Sequence, residues 1–412
     1  MKSNWREYPL GEITELVIDY RGKTPKKLGG DWSESGYRAL SAKNIKAGHI
    51  VQPDTIRFVS EEMYHKWMKD EIQRGDIIIT SEAPFGQILY WDSEEKIVLS
   101  QRLFGVRVKE EYDSKFVYYY MTTSDFQGEM DGRATGTTVV GLRQPELMKC
   151  VVRCPDLDTQ KKIACILSSI DEKILINEKI NENLQHQVKA IFKAWFVDFE
   201  PFGGEQPSEM QFVPLQDLCK VVTKGTTPTT LGKPFTPSGI NFIKAESILD
   251  NHSIDTSKFA YIDDETNAML KRSIIEANDI LFTIAGTLGR FALVDESVLP
   301  ANTNQAVAII RSDENKVAAT YLYSFFIGNW HNDYYSKRVQ QAVQANLSLT
   351  TIKSLPIAIL NDNSMSKYNE LVRPLLALMK INEDENRKLA ALRDTLLPQL
   401  MLGEIDLSEI QF

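Results

Sequence analysis

The chain has 412 residues, a formal net charge of −9 and 43% hydrophobic residues, enough for two globular domains with connecting elements. Its amino terminus, Met1-Lys2-Ser3-Asn4-Trp5-Arg6-Glu7, has no apolar signal core, and no apolar run approaches membrane-spanning length, so a soluble, cytoplasmic setting is expected. The four cysteines (Cys150, Cys154, Cys165, Cys219) form no Cys-x-x-Cys and sit near no histidine, which argues against a disulfide framework or a zinc site. The acidic balance argues mildly against nucleic acid, although a local basic face can coexist with a negative total.

In chain order, the first cationic feature is Arg21-Gly22-Lys23-Thr24-Pro25-Lys26-Lys27. A Gly/Pro turn with four cations suits a phosphate clamp, though the same composition also suits a solvated loop. Lys43-Asn44 follows. Ile56-Arg57-Phe58-Val59, Asp76 to Thr80 and Ile97-Val98-Leu99 are short β-branched runs bounded by Gly, Asp or Pro and are predicted strands. Ser60 to Lys69 is predicted as a short helix with a Ser cap. Gln101-Arg102 offers bidentate groups to base edges. Phe116 to Ser124 is an aromatic-rich helical stretch that reads as core. Arg133-Ala134-Thr135-Gly136-Thr137-Thr138 reads as a polar loop.

From Asp158 to Phe199 the pattern changes. Ile163, Leu167, Ile170, Ile174, Asn177, Asn181, Leu184, Val188, Ile191 and Trp195 fall at alternating steps of four and three, which places them on one face of a helix. About forty residues at a rise of 1.5 Å give a rod of roughly 60 Å, too long for an ordinary core helix. A narrow stripe held that long calls for a coiled-coil partner.

The second half begins with another Gly/Pro turn, Lys224-Gly225-Thr226-Thr227-Pro228, whose threonines can bond phosphate neutrally. Glu246 stands where Lys43 stands in the first half; a Lys or Glu at one scaffold position would suit guanine or cytosine respectively. Asp263 to Lys271 is predicted as a short helix with an Asp cap, and Tyr321 to Trp330 as an aromatic-rich helix. Asn302-Thr303-Asn304-Gln305 and Gln340-Gln341-Ala342-Val343-Gln344 are polar loops with amide side chains. A second stripe follows in Tyr368, Val372, Leu375, Met379, Asn382, Leu389, Leu396 and Leu400. Pro374 predicts a kink or late start of that helix, and Pro398 and Gly403 its end.

The halves are an internal repeat. Adding 203 carries Gly22 to Gly225, Gly36 to Gly239, and Gly75-Asp76-Ile77-Ile78-Ile79-Thr80 onto Asn278-Asp279-Ile280-Leu281-Phe282-Thr283. Adding 204 carries Gln101 to Gln305 and Arg107 to Arg311; adding 205 carries Ile176-Asn177-Glu178 to Ile381-Asn382-Glu383. Two one-residue insertions explain the drift. The stripes are expected to pack antiparallel, with Asn177 and Asn382 either in the seam or at its solvent edge.

The paired Gly-x-Thr-Pro turns, the twin Asp-Ile-Ile/Leu strands, and the helix ends Ala190-Ile191-Phe192-Lys193-Ala194-Trp195-Phe196-Val197-Asp198-Phe199-Glu200-Pro201-Phe202 and Leu396-Leu397-Pro398-Gln399-Leu400-Met401-Leu402-Gly403 resemble the specificity subunits of type I restriction-modification systems. The resemblance spans essentially the whole chain. It implies an α+β protein with two repeated, mostly-β target-recognition domains (1–155 and 201–361), separated by two long antiparallel coiled-coil helices (156–200 and 362–412) with pseudo-two-fold symmetry. Each domain would read half of a bipartite DNA site, and the helices would act as spacer and dock methyltransferase subunits, two of them, with restriction subunits as a further partner. Trp195, Phe196, Val197, Phe199 and Phe202 exceed what one seam can bury, and Leu396, Leu397, Leu400, Met401 and Leu402 mirror them. They would be either a docking patch or buried against the chain's own domains.

No catalytic residue, cofactor or metal is expected. Pro155-Asp156 followed by Asp171-Glu172-Lys173 matches a loose nuclease pattern, but Asp171 and Lys173 lie on a helix about four turns from Asp156 and cannot converge on one metal. No Asn/Asp-Pro-Pro-Tyr or Gly-x-Gly serves a flipped base or a methyl donor. The remaining alternative is a non-enzymatic coiled-coil scaffold that binds protein or peptide partners.

Overall fold

The four-three stripes fold as two helices of 40 residues, Leu157–Phe196 and Asp362–Met401, in a computed structural model that describes residues 5–136, 140–331, 334, 340–341 and 345–408. Chain contacts divide it into two units: Met1–Ile174 with Arg387–Phe412, and Leu175–Asn386. Each unit therefore combines one half of the repeat with one stretch of each long helix.

Within both units the helices run antiparallel. In the first, Ile163 and Leu167 share a core with Leu400 and Met401, and Arg393 Nη1 donates to Asp171 Oδ1 over 2.9 Å. In the second, Leu184, Val188 and Phe192 share a core with Tyr368, Val372 and Met379. The polar positions lie in the seam, not at its edge: Asn177 is 0% and Asn382 7% exposed. Asn177 Nδ2 donates to Glu385 Oε2 (2.7 Å) and Asn386 Oδ1 (2.8 Å), Asn181 Nδ2 to the Met379 carbonyl (3.0 Å), and Asn382 Nδ2 to Asn181 Oδ1 (2.8 Å). These amides have partners only in one register, so they penalise slippage of the apolar stripes. Asn181→Leu is expected to cost about 1–3 kcal/mol because it strands the buried Asn382 amide. The double variant with Asn382→Leu should regain much of that loss. Urea midpoints check this, and a double variant weaker than the single would contradict it.

Two boundaries differ from the sequence expectation. The second helix starts at Asp362 and runs through Pro374 without a late start. Burial of Tyr368 and Val372 (0% exposed) beside Leu376 outweighs the one backbone donor that proline removes. The helix also continues through Pro398 to Met401, and it stops at Gly403, whose φ of +65° is the left-handed conformation of a helix end.

The repeat is visible strand by strand. In the first unit an antiparallel sheet has the order Thr14–Asp19, Leu103–Val108, Ile77–Thr80, Ile88–Tyr90; in the second, Cys219–Lys224, Val307–Ser312, Ile280–Thr283, Phe291–Leu293. Alternate residues of the central strands enter different cores: Ile77 and Ile79 one, Ile78 the other; Ile280 and Phe282 one, Leu281 the other. A strand buried on both faces must read as a continuous apolar run, which is why Asp76 to Thr80 and its repeat stand out in the sequence. A second sheet places Tyr37–Leu40 between antiparallel Arg57–Val59 and parallel Val98–Leu99. Its counterpart places Ile240–Ile243 between Ala260–Ile262 and Ala301–Thr303. Gly36 and Gly239 hold the same turn at φ +121° and +137°, where a Cβ would lie 2.3 Å from the Val59 carbonyl oxygen and 2.5 Å from that of Ile262. No other residue type fits there.

The two matching antiparallel sheets each carry a buried ion pair at equivalent positions. Arg107 donates to both Asp76 oxygens through Nε (2.9 Å) and Nη2 (2.8 Å), and Arg311 to both Asp279 oxygens at 2.8 Å. The caps at Ser60 and Asp263 are present, accepting from the amides of Met63 and Thr266. The aromatic helices, Ser114–Met121 and Ala319–Ile327, are core elements.

The second unit also holds one half-buried and one buried histidine. His252 stacks on Phe291 with centroids 3.9 Å apart, and His331 is 1% exposed. Burial holds His252 down at about 4 and His331 at about 3. Both must stay neutral in the fold, whereas the unfolded chain takes up protons below about pH 6.5. Stability should therefore be complete above that pH and fall on acidification towards pH 4, by on the order of 3 kcal/mol per histidine. Melting temperatures across pH 7 to 4 test this, and His252→Phe should flatten part of the acid limb.

Candidate nucleic-acid interface

Several loops of the first unit close around a cleft of about 310 Å³. The turn after Thr14–Asp19 contributes Lys23 and Thr24, the following loop Trp32, the single 3-10 turn Ala42–Asn44 Lys43, strand Arg57–Val59 Arg57, and the loop after Val98–Leu99 Ser100, Gln101 and Arg102. Thus five residues expected from sequence to contact DNA, Lys23, Thr24, Lys43, Gln101 and Arg102, line one concavity. Arg57 and Trp32 were not singled out in the sequence. Their guanidinium and ring lie 4.9 Å apart, carbon to centroid, a cation–π contact that holds the guanidinium in place. The available signal was an aromatic at the same point of both repeats, Trp32 and Phe235.

The cations differ in what they have left to offer. Arg21 lies outside the cleft lining: it donates to Asp19 through Nε (2.9 Å) and Nη2 (2.8 Å) and covers the Phe104 ring at 3.9 Å. Lys27 Nζ donates to the Gly22 carbonyl (2.7 Å), and Lys23 Nζ to that of Trp67 (3.1 Å) while resting over Tyr20 at 4.1 Å. Arg102 pairs with Glu82 at 3.2 Å. Arg133 is elsewhere, paired with Glu129 at 3.0 Å, and this neighbour holds its guanidinium protonated above the usual range. Lys26, Lys43 and Arg57 are exposed, with no side-chain hydrogen bond or ion pair among the described residues. Asn44 is a correction. It is 1% exposed, its Oδ1 accepts from Ser41 N and Oγ and its Nδ2 donates to Thr55 Oγ1 (3.0 Å), so it shapes the turn that presents Lys43 and has no edge for a base.

In the second unit the same loops carry other chemistry. Lys224 is exposed and Thr226 half-buried. Thr227 Oγ1 donates to Gln305 Oε1, fixing that exposed amide. Asn304 Oδ1 accepts from Ala306 N at 3.1 Å. Glu246 is exposed, 3.6 Å from Lys244 Nζ, which itself sits 5.4 Å from the Phe235 centroid. Asn302 is the second correction: it is fully buried, accepting from Ser273 Oγ (2.8 Å) and donating to Asn267 Oδ1 (2.9 Å). Gln341 lies in the two-residue strand Gln340–Gln341, and its side chain is outside the described portion, as are Thr137, Thr138 and Gln344.

The helix ends correct the expectation of an exposed patch. Phe196 is 5% and Met401 3% exposed. Phe196 stacks on Phe192 and meets Tyr321 and Tyr368, while Leu400 and Met401 enter the first unit's core. Trp195, Phe199 and Phe202 pack on the second unit's core, and Leu396 and Leu397 on the first's. The exposed apolar residues of the helices in the second unit are instead Leu175, Ile176, Ile180, Leu371, Leu378 and Ile381, at 40 to 61%. They lie off the seam stripe, which is why its periodicity did not mark them.

The acid pattern does not assemble. Asp171 accepts from Tyr119 Oη (2.6 Å) and pairs with Arg393, whereas Asp156 accepts from Thr159 N (3.0 Å) and Oγ1 (2.9 Å). Among the described residues, no group of three or more His, Cys, Asp or Glu is placed to hold a metal ion, and no helix is long and apolar enough to cross a membrane.

A family model described as type I restriction modification DNA specificity domain matches residues 2–186 and again 207–367. The chain is 25% identical over 352 residues to the type I restriction enzyme MjaIX specificity subunit of Methanocaldococcus jannaschii, covering 82% of this chain and 79% of that one. It is 24% identical over 486 aligned positions to the HindI specificity subunit of Haemophilus influenzae, covering 98% and 100%. Its fold is similar to the crystal structure of a type I restriction-modification S subunit from M. genitalium, with a TM-score of 0.56, 16% identity and 96% of each chain covered.

Proposed function

The chain belongs to the type I restriction-modification DNA specificity family, a non-catalytic component that recognises DNA sequence, and from that premise we propose that residues 1–155 and 201–361 each read one half of a bipartite duplex site. The observation that supports this most is the repetition of one loop scaffold with different side chains: Lys23, Lys43, Arg57 and Arg102 in the first unit, Thr226, Glu246, Ala260 and Ala306 at the matching positions of the second. A shared scaffold with divergent side chains at its tips suits two readers of different sequences. Lys26, Lys224 and the turn threonines would engage phosphates, which position without specifying, and the amides of Gln101, Asn304 and Gln305 base edges. The paired helices would set the gap between the half-sites.

The same helices would dock two methyltransferase subunits, with a restriction subunit as a further partner. In the second unit the proposed surface is the exposed group Leu175, Ile176, Ile180, Leu371, Leu378 and Ile381, flanked by the half-buried Trp195, Val197 and Phe199; in the first it is Leu392, Leu397 and Leu402. Ile176 and Ile381 are equivalent in the repeat. Changing both to Ser should weaken methyltransferase assembly at least about tenfold, since each loses roughly 1–2 kcal/mol of apolar burial, and leave helicity intact. Unchanged assembly on a sizing column would remove this surface from the account.

Duplex binding tests the reading itself. The isolated chain should bind DNA weakly, the chain with its methyltransferase tightly, and affinity should fall linearly with salt on logarithmic axes. A complex that assembles but has no affinity for any duplex would contradict the proposal and favour a scaffold.

A further inference from the structure

Four cations, Lys23, Lys43, Arg57 and Arg102, line the cleft of the first unit, and they are not equivalent. Lys23 and Arg102 already have partners in Trp67, Tyr20 and Glu82. Lys43 and Arg57 have none among the described residues apart from the Trp32 face that supports Arg57. Arg57 projects from the first residue of a strand whose register is fixed against Ala39, so its position is set by a sheet, not by a mobile loop. Lys43 stands on a turn closed by the buried Asn44 amide. These two donors, one mounted on a strand and one on a closed turn, line one cleft of about 310 Å³.

Resting on the DNA-recognition reading above, we propose that Arg57 and Lys43 determine the specificity of the first unit by reading a guanine in the major groove. Guanine alone presents two adjacent acceptors there, O6 and N7, and a flat guanidinium fits both at once. Lys43, a single rotatable ammonium, serves the next acceptor along the groove. The second unit is a built-in control. Its strand carries Ala260 where Arg57 would be, in the same register against Phe242 as Arg57 against Ala39, and its turn carries Glu246 in place of Lys43. The half-site read by the second unit therefore lacks this guanine contact and has an acceptor, Glu246, suited to an exocyclic amine.

The test uses the chain assembled with its methyltransferase subunits and a pool of random-sequence duplexes selected by the wild-type complex. Failure of the wild type to select any sequence would sink the recognition reading rather than this one. Given a selected site, Arg57→Ala should lose discrimination at one G·C pair of one half-site by roughly 5- to 150-fold, with the other half-site unaltered. Arg57→Lys, which keeps charge and fold but not the fork, should lose the same discrimination while retaining affinity for unselected duplex. Lys43→Glu should shift preference at a neighbouring pair. If Arg57→Ala instead weakens every sequence equally and lowers the salt slope by about one, Arg57 is a phosphate contact and the proposal is wrong. It is equally wrong if the first half-site contains no discriminated guanine, or if Arg57→Lys discriminates as the wild type does.

Discussion

Arg311→Met is expected to lower the stability of the second unit by about 3–5 kcal/mol, and Arg107→Met to do the same to the first. Asp279 and Asp76 are 0% and 1% exposed, and each has both oxygens bonded to its arginine. Removing the guanidinium leaves a buried carboxylate at the start of an inner strand with only a backbone amide, from Glu276 or Gln73, as donor among the described residues. A surface ion pair would be worth less than about 1 kcal/mol, so the size of the loss separates a buried pair from a decorative one. The double variant Arg311→Met with Asp279→Leu should recover much of the loss, because the cost comes from the stranded charge more than from the lost attraction. Urea unfolding followed by circular dichroism measures both. A single-variant loss below about 1 kcal/mol would show that water reaches Asp279 and that the pair does not organise the sheet.

Inserting one heptad into both long helices, after Ile174 and before Arg387, should abolish recognition of the native site and create recognition of a longer one. Seven residues keep the stripe nearly on one face and lengthen the helices by about 10 Å. At roughly 3.4 Å per base pair, the unspecified gap should grow by up to about three pairs while both half-sites stay the same. The expected effect on the native site is complete loss, because both units can no longer engage it together. Insertion into one helix alone leaves the Asn177, Asn181 and Asn382 pairings, which all lie on one side of both insertion points, but gives its seven extra residues no partner on the other helix. A doubly inserted complex that still recognises the native gap would refute the spacer role of the helices.

What the sequence discloses follows from how local the signal is. The helices are legible because a stripe of period three to four is written in neighbouring residues, and Ile163, Leu167, Leu184 and Val188 are all buried as it requires. The repeat is legible because Gly36 and Gly239 obey one steric rule in both halves. Pro374 misleads because tertiary packing of Tyr368 and Val372 overrides propensity. The cleft is half legible. Lys23, Thr24, Lys43, Gln101 and Arg102 announce themselves as polar turns, but Arg57 and Trp32 are brought beside them by sheet pairing across the domain. Asn44 and Asn302 look like base readers because a side-chain amide is the same in sequence whether it faces DNA or closes a buried turn. The helix-end aromatics look exposed because nothing in Phe192 to Phe202 reveals that Tyr321 and Tyr368 await them.

The most direct test of the account is to map modified bases in DNA exposed to the chain assembled with its methyltransferase subunits. Two recognition units with one scaffold and different tips predict a single bipartite consensus: two unlike half-sites at a fixed separation, the intervening bases unconstrained. A consensus that is one contiguous block, two half-sites at a variable separation, or no consensus at all would contradict it.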